Sequence, residues 1–421
     1  MSLRENRFAA RTLKNIEEIW HVFCLELKRI FRDPGVITIF FVAGLAYPIL
    51  YKVLYWNDDF NNVPIAVVDM SASQHSRRFL HKLEATPEVK IAFVCNSMEE
   101  AEKLIEKQKV HGIIYFPSDY SYHIETTNGQ AHISLYCDMT SFLYQKSIFL
   151  AANKVMLDEM HYIQLDRFER SGYGPQLSWV LTQGAPYQEV ALYTPTGGYS
   201  SFIIPGVLVL ILHQTLFLGI GMLAGTAREE NKTLFFMPGR RRHRSVFRII
   251  FGRSGAYFLC YYFLSTILLI LLPRLMHLPH VGNPLDILIF ITPFVLATIF
   301  FSMLVSLCVR NRESGMVTLI TTSLLFLFIS GLSWPGAAVP DAWRYCSYLI
   351  PSTLGINGFV HISSMGATLS QVRFEYIGLW IQAGVYFVLA AVGLYVQGNV
   401  YEKRNPLREQ HHHTLEPELA E

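Results

Sequence analysis

Apolar positions are unevenly distributed along this chain. Six stretches, Val36 to Leu54, Phe202 to Ala224, Ala256 to Leu272, Ile287 to Val309, Met316 to Trp334 and Ile377 to Val396, are apolar almost throughout. A hydrocarbon core about 30 Å thick takes roughly 20 residues of helix. The pattern therefore predicts six membrane-crossing helices. The first is separated from the other five by residues 57–198, whose polar and charged content suits water.

Ahead of the first stretch the period changes. Leu13, Ile16, Trp20, Phe23, Leu27, Ile30 and Phe31 recur at spacings of three and four, with Glu17, Glu18, Glu26, Lys28 and Arg29 on the remaining faces. That is an amphipathic helix. It ends at Asp33-Pro34-Gly35, at the edge of the first apolar stretch. Such a helix suits the inner membrane surface, with Trp20 at the headgroups, or the face of a soluble partner, and the two are compatible.

Residues 57–198 alternate between the two periods. Pro64 to Val68, Lys90 to Val94, Gly112 to Phe116 and Ile133 to Tyr136 read as strands, whereas Ser76 to Leu83, Met98 to Lys109 and Ser141 to Arg170 read as helices. Alternating strands and helices predict an α/β domain with a partly parallel sheet. Gly172 to Gly198, rich in Gly, Pro and Thr, reads as a loop returning the chain to the membrane.

Charge then sets the orientation. Only 16% of residues are charged, against 51% hydrophobic, well below the roughly 25% charge of soluble domains. Short loops rich in Lys and Arg stay in the cytoplasm. The loop after the second stretch holds Arg228, Lys232, Arg240, Arg241, Arg242, Arg244, Arg248 and Arg253 against Glu229 and Glu230, and Arg310, Arg312, Lys403, Arg404 and Arg408 follow the same pattern. This places both termini in the cytoplasm and residues 57–198 outside. The expected fold is an α-helical polytopic membrane protein of six spans with an inserted extracytoplasmic α/β domain, seated in the inner (plasma) membrane. A net charge of +2 gives no argument for nucleic acid, and the basic loop is explained by topology. A charged segment precedes the first span and no small-residue cleavage site follows it, so that span reads as an anchor rather than a cleaved signal.

Within the spans, Lys52 is close enough to a helix end to snorkel. His213 and Gln214 are deeper, where polar side chains either bond a neighbouring helix or line a pathway. Pro205 and Pro293 are expected to bend their helices, and Gly219, Gly221 and Gly225 to admit a close neighbour. Between the fifth and sixth spans, Gly331 to Pro335, Pro340 and Pro351 break an apolar segment too short to cross twice. Half-helices dipping into the outer leaflet fit it, since irregular backbone at that depth must be buried in protein or line a cavity.

Enzymatic signatures are missing. The sequence holds no GxxxxGK[ST] phosphate loop, HExxH, GxSxG or kinase motif. Asp69 and Asp138 follow strands, but with Ser71, Ser73, Thr140 and Ser141 beside them they read as turn and cap residues. The six cysteines form no metal-binding pattern, and Cys95 and Cys137 in strand-like runs read better as buried thiols than as a disulfide. His411 to His413 form a tract too brief for a metal site.

Four segments resemble the permease subunits of ABC exporters of the type-2 class. Glu26 to Pro34 is similar to their connecting helix with its terminal Arg-Asp-Pro. Ile65 to Asp69 with Ser71 and Ser76-Arg77-Arg78 resembles their strand-Asp-Ser-helix opening. Arg228 to Leu234 resembles their Glu-rich cytoplasmic segment, with Lys232-Thr233 where the family has Gly-Thr and Gly252-Arg253 where a Gly-Lys opens the third span. Gly331 to Pro335, Pro340 and Pro351 match the outer re-entrant pattern.

The resemblance implies that Glu229, Glu230, Lys232, Thr233 and Leu234 contact a separate ATP-binding subunit, joined by the connecting helix through Trp20, Glu26, Arg29, Arg32 and Asp33. It implies no cofactor on this chain, ATP and Mg residing on that partner. A second permease copy or paralogue, and possible contact with a periplasmic adaptor and outer-membrane channel, complete the set, along with the lipid bilayer. The expected divisions are 1–35, with the connecting helix; 36–56, the first span; 57–198, the outer domain; 199–400, with coupling loop 226–253 and re-entrant segment 335–362; and the tail 401–421. The expected function is ATP-driven export of a small amphipathic or lipid-like molecule, since the spans carry almost no charge. A non-transporting receptor or sensor using the outer domain is the alternative.

Overall fold

The computed structural model describes residues 3–54, 61–126, 130–182, 192–193, 198–230, 242–276, 280–332, 334 and 338–404. Lys232, Thr233, Leu234, Pro335 and His411 to His413 lie outside the described residues. The chain divides into two compact units, Met1–Trp56 with Leu192–Glu421, and Asn57–Ala191.

In chain order, α1 (Leu3–Arg32) is followed by α2 (Pro34–Ile37), a π-helical turn over Thr38–Ala43 and α3 (Gly44–Leu54). The smaller unit then runs β1 (Val63–Asp69), α4 (Gln74–Glu84), β2 (Val89–Cys95), α5 (Met98–Glu106), β3 (Gly112–Phe116), α6 (Tyr120–Glu125), β4 (Ser134–Cys137), α7 (Phe142–Arg170) and α8 (Pro175–Thr182). The rest is α9 (Tyr199–Glu229), α10 (Arg242–Thr266), a second π-helical turn over Ile267–Leu271, α11 (Leu272–Leu275), α12 (Pro284–Ser306), α13 (Arg312–Ile329), α14 (Asp341–Ser347), α15 (Pro351–Met365) and α16 (Arg373–Arg404).

The protein is mostly helical. Among the described residues six segments are long and apolar enough to cross a bilayer: Pro34–Leu54, Ser200–Glu229, Val246–Leu275, Pro284–Ser306, Arg312–Ile329 and Arg373–Gln397. Between apolar helices in lipid the hydrophobic effect gives little attraction, so close packing and interhelical hydrogen bonds decide the arrangement. Gly219 shows how closely. A Cβ there would fall on the Phe40 ring of the first span. Gly225 is likewise 2.8 Å, measured from a Cβ built on it, from the backbone of Arg312. Pro205 and Pro293 lie inside α9 and α12.

The third span begins at Val246, ten residues before the expected Ala256, because the charges of Arg248 and Arg253 are paired with α1. The segment between the fifth and sixth spans forms two unequal helices. Short α14 is largely exposed, whereas α15 is buried over most of its length and packs on α9, α12 and α16.

The smaller unit is built on a four-stranded sheet of order β2-β1-β3-β4. β1 pairs parallel with β2 and β3 (Val63 opposite Val89, Ala66 opposite Ile113), and β4 runs antiparallel to β3 (Tyr136 opposite Ile113). Side chains on a strand alternate between faces. Val63, Ile65 and Val67 meet Phe79, Leu83, Ile148, Ala151 and Val155 of α4 and α7, while Ala66 and Val68 meet Ala101 of α5. Covered on both faces, the central strand reads as an unbroken apolar run.

Across α4 and α7, Arg78 donates through Nε and Nη2 to both carboxylate oxygens of buried Glu159, at 2.7–3.1 Å, and Lys82 bonds Glu159 and Asp158. Asp69 ties the turn after β1: Oδ1 accepts from the Ser71 and Ala72 amides and Oδ2 from Ser76 Oγ, while Ser73 caps α4. Asp138 accepts from the Thr140 amide and hydroxyl, which hold its carboxyl below the usual range. Cys95 and Cys137 are free thiols, and burial raises both. α8 forms inside Gly172 to Gly198, where the sequence reads as a loop.

Candidate coupling site

The amphipathic α1 lays one face along α10. Glu18, Val22 and Glu26 recur at helical spacing, and opposite them stand two pairs four residues apart, Arg248 with Gly252 and Arg253 with Tyr257. Arg248 Nη1 pairs with Glu18 and donates to Asn15. A Cβ on Gly252 would be 2.8 Å from the Ile19 carbonyl, so the absence of a side chain sets the distance between the two helices. Glu26 is 1% exposed. Its Oε1 accepts from Arg253 Nε at 2.9 Å and Tyr257 Oη at 2.5 Å, and Arg29 lies 3.9 Å from Oε2. A buried carboxylate is tolerated only with such partners.

A second cluster forms where α1 stops. Asp33 caps α2, its Oδ1 accepting from the Gly35 and Val36 amides at 2.9 and 3.2 Å, with Pro34 in the first helical position, where no amide donor is needed. The same carboxylate takes a two-pronged bond from Arg312, Nη2 to Oδ1 at 2.8 Å and Nη1 to Oδ2 at 2.5 Å. That guanidinium holds the Asp33 carboxyl below the ordinary value. Arg312 Nη1 also reaches Thr226 Oγ1 at 3.0 Å, and its amide donates to Glu229 Oε1 at 3.0 Å. One arginine thus joins the end of α1, the end of α9 and the start of α13. Beside it Arg228 donates to the Leu307 carbonyl at 3.0 Å and Gln397 Oε1 at 3.3 Å, adding the ends of α12 and α16.

Of the residues expected to carry coupling, this hub gathers Glu26, Arg29, Asp33 and Glu229. Glu230 ends α9, and its charge acts on Arg29, although burial is the larger influence and lowers that guanidinium. Trp20, 64% exposed, and Arg32 point away from it. His213 and Gln214 lie elsewhere. His213 is fully buried among Phe217, Phe301 and Phe326, and neither ring nitrogen has a hydrogen-bond partner among the described residues. Gln214 Nε2 donates to the Ser323 carbonyl at 3.0 Å, bonding α9 to α13. Gly331, at φ +81°, follows the end of α13, Pro340 precedes α14, and Pro351 opens α15. Gln382 Nε2 and Tyr386 Oη of α16 donate to the Tyr348 and Leu349 carbonyls between these helices.

The family model described as ABC-2 family transporter protein matches residues 35–392. The chain belongs to the ABC-2 transporter family. It is similar to the probable multidrug ABC transporter permease YbhS of Escherichia coli K12 and its counterpart in Escherichia coli O157:H7. Each is 22% identical over 336 residues, covering 78% of this chain and 83% of the relative.

In this ABC-2 protein the residues that sequence reasoning missed are Arg312, Thr226 and Tyr257. Arg312 counted only as a topology signal. Its partner Asp33 is 279 residues away, a separation that no local pattern reports. The signal that was present is chemical: a lone carboxylate at a membrane boundary needs a cation, and the first residue of α13 supplies one.

Proposed function

We propose that this chain is the membrane-spanning permease subunit of an ATP-driven exporter, with both termini in the cytoplasm and the sheet-bearing unit outside. Family membership and the permease relatives support the transporter reading. The observation that carries it further is the hub. It joins an amphipathic helix to the ends of several spans through buried and part-buried ion pairs and hydrogen bonds, which suits a device that receives a push and passes it on. ATP-binding subunits docked on α1 and on the segment beginning at Glu229 would supply that push. Moving α1 would then move α10 through Glu26 and Arg253, and α13 through Asp33 and Arg312, as rigid bodies. A second permease copy would complete the pathway. Spans with almost no unpaired charge favour a small amphipathic or lipid-like cargo, and His213 and Gln214 would be the polar residues of such a path. A periplasmic adaptor is the natural acceptor outside.

Glu230→Arg tests the docking. In vesicles holding the permease with its co-purified ATP-binding subunit, transport should fall while insertion and assembly of the spans persist. Wild-type transport and wild-type stimulated ATP hydrolysis together would remove the assignment.

A further inference from the structure

We propose that α8 is an interfacial helix that rests in the outer leaflet of the bilayer, with Leu177, Val180 and Leu181 in contact with lipid. These three side chains follow the spacing of one helical face and are 50%, 60% and 45% exposed. A groove of about 470 Å³, lined by Leu165, Glu169, Pro175, Gln176, Trp179 and Val180, separates α8 from the end of α7, so the two helices do not cover one another fully. Two polar side chains of α8 bond to carbonyls of the local backbone, whereas Gln176 is exposed beside the groove. Ser178 Oγ donates to the Tyr173 carbonyl at 3.3 Å and Thr182 Oγ1 to the Ser178 carbonyl at 2.6 Å. Apart from Gln176, the helix offers the outside mainly hydrocarbon and indole.

Charge and continuity choose the occupant. Between Arg170 and Arg228 the chain has a single Asp, Glu, Lys or Arg, which is Glu189, although α7 just before it carries Asp158, Glu159, Asp166, Arg167, Glu169 and Arg170. A surface meant for a soluble protein keeps a polar rim. Here charge thins to that one carboxylate until the second span has been crossed. Tyr173 and Trp179 flank the apolar face, and Tyr187 and Tyr193 follow on the way to Ser200. Amphipathic rings of this type collect at membrane interfaces.

The test uses the full-length protein in phospholipid nanodiscs. Single nitroxide labels are placed at Leu177, Val180 and, as an aqueous reference on α5, Glu102, in a background whose native cysteines are replaced. The Leu177 and Val180 labels should be open to oxygen, with collision rates for a soluble nickel reagent at least about fivefold below those at Glu102. Nickel access equal to that at Glu102 overturns the proposal. So does exclusion of both reagents, which would mark a protein contact such as a second copy. If the labelled background fails to insert, quenching by lipids brominated near the headgroup is compared between the unaltered chain and Trp179→Phe. Loss of a quenchable component in the variant supports the proposal, and an unchanged quenchable fraction overturns it. Neither readout involves transport or ATP, so this result and the exporter reading stand or fall separately.

Discussion

Replacing Glu26 with Ala should loosen α1 from α10 far more than replacing Glu18, although both residues pair with an arginine of the same helix. The difference is burial. Glu18 keeps 41% of its side-chain surface in water, whereas Glu26 keeps 1%. An exposed ion pair contributes about 0–1 kcal/mol, because water and mobile ions already solvate both partners. Removing one member of a buried pair costs about 3–5 kcal/mol, since the remaining charge is stranded away from water. In Glu26→Ala the buried cation that loses its carboxylate is Arg253, and the Tyr257 hydroxyl loses its acceptor too. Amide hydrogen exchange over residues 14–32, in nanodiscs and read by mass spectrometry, reports the local opening. At about 1.4 kcal/mol per tenfold change, protection should fall roughly 150- to 5,000-fold in Glu26→Ala and less than about tenfold in Glu18→Ala. Pairing Glu26→Leu with Arg253→Met removes both charges and should cost less than the two single changes added together. Strict additivity, or a loss below about fivefold in Glu26→Ala, would mean that the pair is not the clamp described here.

Three further outcomes follow from the same geometry. Asp33→Asn and Arg312→Ala should each lower transport per ATP hydrolysed in the proposed complex with an ATP-binding subunit, while the charge exchange Asp33→Arg with Arg312→Asp should recover part of it; equal coupling in all three would dismiss the clamp. The Asp33 carboxyl is held below its ordinary value of 3.8, chiefly by Arg312, so its contribution is complete above that pH and is lost as pH falls through the lowered value. Protection at the α1–α2 junction, corrected for the intrinsic pH dependence of amide exchange, should therefore be flat from about pH 8 to 5 and fall only in stronger acid. Gly219→Ala should destabilise the protein by about 1–3 kcal/mol by driving a methyl group into the Phe40 ring, and the same change should be nearly silent in a Phe40→Ala background, as followed by thermal unfolding in detergent.

The placement of the spans was legible because lipid demands long apolar helices, a constraint that needs no tertiary information. The third span shows where the reading stops. Arg248 and Arg253 count against a hydrophobic window, and only the fold supplies Glu18 and Glu26 to neutralise them, so the helix extends N-terminally beyond its apolar run. The sheet was legible strand by strand, since β1 to β4 alternate or run apolar as buried strands must. Their order was not, because non-local pairing leaves no periodic mark. That order separates Cys95 from Cys137 by β1 and β3, three strand spacings or about 14 Å, well beyond the reach of a disulfide. At the hub, Glu26 and Asp33 could be singled out from motif and position, but their partners could not, being distant in the chain. The two π-helical turns carry no period of their own, and the eight residues of α8 are too few for their spacing to stand out in a stretch rich in Gly, Pro and Thr.

The most direct test of the borrowed-energy account is a photo-crosslinker placed at Glu230 in intact membranes, followed by mass identification of whatever it captures. The account predicts a chain with a nucleotide-binding phosphate loop, captured from the cytoplasmic side. Capture solely of extracytoplasmic proteins or lipid would contradict it, because the hub would then have nothing to receive a push from.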